Sequence, residues 1–90
     1  MEFEWDVDKA ASNAAKHGIE FDDAIAIFGG RVLELRSDHH GEESYRVIGE
    51  LNGREIVVIY TPRGGRFRII SARKAARYER RAYREAYPAE

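Results

Sequence analysis

The sequence predicts an α+β domain in which two N-terminal helices and a C-terminal helix pack on a mainly antiparallel β-sheet, in the order β-α-α-β-β-β-β-α. Three observations carry this expectation. An alanine-rich stretch and an apolar one, closed by Gly18 and by Gly29-Gly30, read as helices. Asn52-Gly53 separates two β-branched runs as a hairpin turn does, and a cation-rich helical pattern stops at Pro88.

At the N-terminus, Phe3 and Trp5 alternate with Glu2 and Glu4, the period of a half-buried strand, before Asp6 or Asp8 caps the first helix. Gly18 suits the left-handed position that closes this helix. Lys16 and His17 occupy its last turn, where cations meet the negative end of the helix dipole. Asp22 or Asp23 is expected to cap a second helix carrying Ala24, Ile25, Ile27 and Phe28, after which Val32, Leu33 and Leu35 begin a strand and residues 37–43 form a polar loop.

Residues 44–51 and 54–60 make the hairpin, because Asn52 and Gly53 both tolerate positive φ. A two-residue turn places Tyr45, Val47, Leu51, Ile56, Val58 and Tyr60 on one face and Arg46, Ile48, Val57 and Ile59 on the other. Both faces are partly apolar, so the pair is central. Residues 62–66 turn the chain into a further strand over 67–70, and Ser71 is expected to lead into a helix running from Ala72 to Tyr87.

Ninety residues without a linker or repeat point to one domain, residues 1–90. A chain of this length buries roughly 60–65% of its unfolded surface, enough for a core with little stability in reserve. With no cysteine, a disulfide frame, a thiolate zinc site and a cysteine nucleophile are excluded, and a cytoplasmic location is expected. The sequence opens without a basic leader and holds no apolar run near the ~20 residues that span a bilayer, so membrane insertion is not expected. The net charge of −1 conceals a division: residues 1–45 carry 4 Lys+Arg against 11 Asp+Glu, and residues 46–90 carry 11 against 5. That asymmetry suggests an anionic partner for the second half, or two halves that neutralise each other in the fold.

On the expected last helix, Arg73, Arg77, Arg80 and Arg84 recur at helical spacing, with Lys74 and Arg81 alongside. Such a stripe suits RNA, DNA or an acidic protein. The opposite face runs Ala72, Ala75, Ala76, Glu79, Tyr83 and Ala86, placing a carboxylate in a packing stripe. Burial would neutralise Glu79 unless Arg68 or Arg73 lies beside it and lowers its pKa. Glu79 therefore reads either as an ion pair that orients an arginine or as a proton-transfer group. His17 reads as a helix-end cap or, with Lys16, as a cationic pair for phosphate. Tyr45, Tyr60, Tyr78 and Tyr83 read as packing aromatics, with base stacking as the alternative. Asp38, His39, His40, Glu42 and Glu43 are ligand types whose spacing matches no specific metal motif, and no metal is assigned to them. Gly64-Gly65 lacks the strand–loop–helix context of a phosphate loop and reads as a hairpin turn.

Three strings, in order across nearly the whole chain, resemble the BrnT family of bacterial toxins. They are Phe3-Glu4-Trp5-Asp6 with Lys9, Asn13 and Lys16-His17-Gly18-Ile19-x-Phe21-x-x-Ala24; Tyr60-Thr61-x-Arg63; and Arg68-Ile69-Ile70-Ser71-Ala72-Arg73-x-Ala75 with Glu79, Arg80 and Tyr83. The resemblance implies a type II toxin of RelE-like fold. It further implies a metal-independent, cofactor-free ribonuclease that arrests translation and is held inactive by a BrnA-like antitoxin, through which operator DNA is mainly contacted. One departure touches the expected site. Where the family usually has an arginine after Gly-Glu-Glu, this chain has Ser44, and Arg46, two residues on, projects from the same strand face about 6–7 Å away.

Cleavage through attack of a ribose 2′-OH on the adjacent phosphate needs a proton acceptor, charge stabilisation and a proton donor. Arg68 and Arg73, helped by Arg46 and Arg63, are expected to stabilise the phosphorane. Glu79, His17 and Tyr83 are unranked candidates for proton transfer. Lys16, Arg63, Arg77, Arg80, Arg81 and Arg84 are expected to hold RNA, the helical arginines serving to steer it or to seat the antitoxin. The competing readings are a noncatalytic module that binds antitoxin and DNA, and a domain that binds protein alone.

Overall fold

A computed structural model describes residues 1–38 and 41–89. In chain order its elements are β1 (Phe3–Glu4), α1 (Val7–His17), α2 (Phe21–Ala24), a 3-10 segment (Ile25–Gly29), β2 (Leu33–Arg36), β3 (Tyr45–Leu51), β4 (Arg54–Arg63), β5 (Arg66–Lys74) and α3 (Arg77–Ala86). The five strands form one sheet in the order β1-β5-β4-β3-β2. Strands β2 to β5 are an antiparallel meander, and β1 joins the far edge parallel to β5, which makes the sheet mixed.

Local chemistry sets several boundaries where the sequence places them. Asp6, rather than Asp8, caps α1, its carboxylate accepting the N–H of Asp8 at 2.8 Å and of Lys9 at 3.2 Å. Gly18 closes α1 at φ 70°. Asn52 and Gly53 take φ 51° and 81°, and the pairing from Tyr45↔Tyr60 to Leu51↔Arg54 is the register of a two-residue turn.

That register divides the hairpin's side chains between two layers. On one face Val47, Ile56, Val58 and Tyr60 join Ile69 and Ala72 and pack against Ile19, Phe21, Ala24 and Ile27 from the N-terminal helical layer. On the other, Ile48 and Val57 pack with Ala75 and with Tyr83 of α3. The sheet is thus covered by helices on both sides, the larger core lying under α1 and α2. Gly49 permits the closest approach: a Cβ there would lie 2.7 Å from Ile27 Cβ.

Two expectations are corrected. No helix starts after Ser71, because β5 continues to Lys74 and α3 begins at Arg77. The long β4 offers partners to Ala72, Arg73 and Lys74, opposite Val58, Val57 and Ile56. At the other edge of β5, Asn13 of α1 supplies a side-chain substitute for a strand, donating to Ala72 O at 2.9 Å and accepting from Ala72 N at 3.1 Å. Helix propensity, worth tenths of a kcal/mol per residue, loses to these bonds. Arg73 and Lys74 therefore leave the helical stripe.

The second correction concerns α2, whose N-cap is Glu20 with no side-chain bond. Asp22 and Asp23 lie in its first turn, where their charge favours the dipole. After one α turn the chain tightens to the 3-10 segment that delivers Ile27 to Gly49. His39 and His40, from the expected polar loop, lie outside the described residues.

Candidate functional site

Arg46 of β3 and Arg73 of β5 project from the α3 face of the sheet in neighbouring rows, with Ile59 and Val57 of β4 as their respective partners. Glu79 comes down between them from the first turn of α3. Its side chain is 0% exposed, whereas those of Arg46 and Arg73 remain 23% and 28% exposed. The carboxylate accepts four hydrogen bonds: Arg73 Nη1 at 2.8 Å and Ala76 N at 2.7 Å on Oε1, Arg73 Nη2 and Arg46 Nη1, each at 2.9 Å, on Oε2. The bond to Ala76 N is half of a capping box, which alanine, lacking a side-chain oxygen, cannot reciprocate.

Of the two arginines the sequence offered as partner for Glu79, the structure supplies Arg73, and adds Arg46. Burial alone would raise the carboxyl of Glu79, but the Arg73 fork, the Ala76 N–H and the charge of Arg46 bring it down to about 2. Arg73 is in turn pushed above its usual value by its bond to Glu79. Two cations against one anion leave the cluster with one net positive charge, directed at solvent through the exposed parts of both guanidiniums. Arg46 Nη1 also donates to the Tyr78 hydroxyl at 2.9 Å, and Arg46 Nε is buried with no hydrogen-bond partner among the described residues.

Beyond this cluster the same sheet face carries Arg68. Arg68 pairs with Thr61 in the ladder and lies about 13 Å from the Arg73 row, measured along β4. Its guanidinium is held by Glu4 at 2.8 Å, so Arg68 and Arg73 share a sheet face but not a partner. A cavity of about 420 Å³ lies in this region, lined by Lys9, Ser37, Ser44, Ile59, Thr61 and Ile70 among others. Ser44, which stands where the resemblance led one to expect arginine, is buried and donates to Ser37 O, tying the start of β3 to the end of β2.

Ile70 is the extra residue of a bulge: Ile59 pairs with Ser71 and Tyr60 with Ile69, leaving Ile70 without a partner on β4. Beside it lies a hollow of about 210 Å³ lined by Lys9, Lys16, His17 and Ser71, which shares Lys9 and Ile70 with the larger cavity. The structure thus gathers Lys16 and His17 on the α1 side of β5 and Arg46, Arg73 and Glu79 on its α3 side.

Other expected site residues lie elsewhere. Tyr83 is on the buried face of α3, its hydroxyl donating to Arg31 O at 3.0 Å beside a separate cavity that also holds Arg84 and Tyr87. Arg63, at the β4–β5 turn, is exposed and 3.5 Å from Glu42. Arg77, Arg80, Arg81 and Arg84 share the outer side of α3. Arg80 donates to Ala75 O and Arg84 makes two bonds to Glu55, while Arg77 and Arg81 make no ion pair among the described residues. Tyr78, read from sequence as a packing aromatic with base stacking as the alternative, is 63% exposed beside Arg46. Its position between Arg77 and the buried Glu79 was the available signal.

No helix among the described residues is long and apolar enough to cross a membrane. Curated proteins provide no match to this sequence. A family model, described as the ribonuclease toxin BrnT of type II toxin–antitoxin systems, matches residues 5–79. That span covers most of the sheet and reaches from Trp5 through Arg46 and Arg73 to Glu79, and the chain accordingly belongs to the BrnT family of ribonuclease toxins.

Proposed function

We propose that this chain cleaves RNA by attack of a ribose 2′-OH on the adjacent phosphate, with Arg46 and Arg73 as the groups that stabilise the phosphorane. One observation carries the reading: a buried carboxylate holds two partly exposed guanidiniums in fixed orientation on one face of the sheet, in a cluster with net positive charge. Preorganised donors of this kind need no rearrangement when negative charge builds on the phosphoryl oxygens. Arg68, farther along the same sheet face, holds a neighbouring phosphate after exchanging Glu4 for it.

Glu79 acts in this reading as the orienting group and not as the base. All its acceptor positions are filled and its carboxyl stays ionised down to about pH 2, which makes it a weak proton acceptor at pH 7. His17, in the hollow on the α1 side of the Ile70 bulge, is the remaining proton-transfer candidate, and Tyr83 supports α3.

Membership of a type II toxin–antitoxin family implies an antitoxin partner and an RNA substrate. The finer proposals follow the resemblance: a RelE-like arrangement in a single domain, a BrnA-like antitoxin that contacts operator DNA, a cytoplasmic site of action and chemistry without a metal. Arg77 and Arg81, which make no ion pair among the described residues, favour an additional docking role for the outer face of α3, toward either RNA or an acidic antitoxin segment.

The deciding experiment incubates pure protein with labelled RNA, with and without EDTA. Cleavage undiminished by EDTA and reduced about 10²- to 10³-fold by Arg73→Ala, with far-UV circular dichroism unchanged, is the expected result. Binding without cleavage would instead identify a noncatalytic module, and a folded, fully active Arg73→Ala variant would remove Arg73 from the site.

A further inference from the structure

We infer that Tyr78 is the base-stacking platform of the site, receiving the base of the nucleotide whose phosphate rests on Arg46 and Arg73. This deepens the ribonuclease reading above and rests on it. Tyr78 is the only aromatic side chain among the large exposed hydrophobics of the described residues, at 63% exposure. The other aromatic rings of the molecule pack against one another: Phe3, Phe28, Tyr45, Tyr60 and Phe67 form one set, Trp5 meets Phe21, and Tyr83 meets Tyr87. A ring left outside these clusters gains nothing from the core, so its position calls for another account.

The position is also well fixed. Tyr78 immediately precedes Glu79, whose four hydrogen bonds anchor the first turn of α3 to the sheet. Its hydroxyl accepts from Arg46 Nη1 at 2.9 Å, and Arg46 Cζ lies 6.0 Å from the ring centroid. One guanidinium therefore touches both the buried carboxylate and the exposed ring. A phosphate bound to Arg46 would stand within one nucleotide's reach of the ring, and an aromatic face accepts any base without hydrogen-bond readout. Tyrosine suits this task because its two side-chain torsions are already restrained, so stacking orders little that was free.

The test compares binding of inorganic phosphate and of adenosine 3′-monophosphate to the protein and to two variants, Tyr78→Phe and Tyr78→Ala, by isothermal calorimetry or by chemical-shift titration. Wild type is expected to bind the nucleotide more tightly than phosphate. Tyr78→Ala should lose about 5- to 150-fold of that preference while keeping its affinity for phosphate. Tyr78→Phe, which keeps the ring and loses the hydroxyl bond to Arg46, should retain the preference. A Tyr78→Ala variant with an unchanged preference overturns the platform and leaves the phosphate site standing. Phosphate binding that is absent, or insensitive to Arg73→Ala, overturns the site itself and the platform with it.

Discussion

At the scale of single residues, Glu79 decides how the site behaves. Its carboxyl is held at about 2, below the 4.5 of a free glutamate. The stabilisation this represents is complete above pH 4.5 and is lost as pH falls toward 2. We therefore expect the urea midpoint to drop between pH 5 and pH 2.5, and to drop less in Glu79→Gln, which has no proton to take up there. Glu79→Ala, which strands two guanidiniums, should cost on the order of 3 kcal/mol at pH 7 by urea denaturation. The need for a cation beside Glu79 was legible in the sequence, since a carboxylate in a packing stripe allows little else. That Arg46 would join Arg73 was not legible, because position 46 reaches Glu79 only after the hairpin and α3 are placed on the same sheet face.

Among the elements, β5 shows most clearly how tertiary bonds overrule local preference. Alanines and arginines at residues 72–77 carry a helical pattern, yet Asn13 and β4 hold Ala72 from both sides and keep the strand extended to Lys74. Replacing Asn13 by Ala should cost about 1–3 kcal/mol, as two backbone groups of Ala72 lose their partner, and should also lower RNA cleavage by loosening the strand that aims Arg73. A cleavage rate that stays at the wild-type level in a destabilised Asn13→Ala protein would count against that coupling. The Asn52-Gly53 hairpin, by contrast, was legible in full, including which residues share a face, since a two-residue turn leaves one register. Gly49 carries no sequence signal of its own. Its role appears only once Ile27 is seen against it, and Gly49→Ala is expected to cost about 1–3 kcal/mol in a denaturation midpoint through overpacking.

Over the whole molecule, the two charged halves neutralise each other at one end of the sheet and leave part of α3 uncompensated. Acidic residues of the first half neutralise one end of the sheet: Glu2 and Glu4 cover Arg66, Glu4 also holds Arg68, and Glu42 faces Arg63. The outer side of α3 keeps Arg77 and Arg81 without such partners among the described residues. If these two contact phosphates, replacing both with alanine should flatten the slope of log affinity for single-stranded RNA against log salt by about 1.4, and leave single-turnover cleavage unchanged. The parallel pairing of β1 with β5 carries a consequence of a different kind, in time. Tyr45 to Arg63 is local and closes through one tight turn, while Phe3 must find Phe67 across the length of the chain. Loop-closure entropy makes such a contact late, so Arg46, Arg73 and Glu79, all within the later half, can meet before the first strand docks. The proposed site would then be assembled ahead of the latch that completes the sheet, and amide exchange should find β1 opening far more often than the central hairpin.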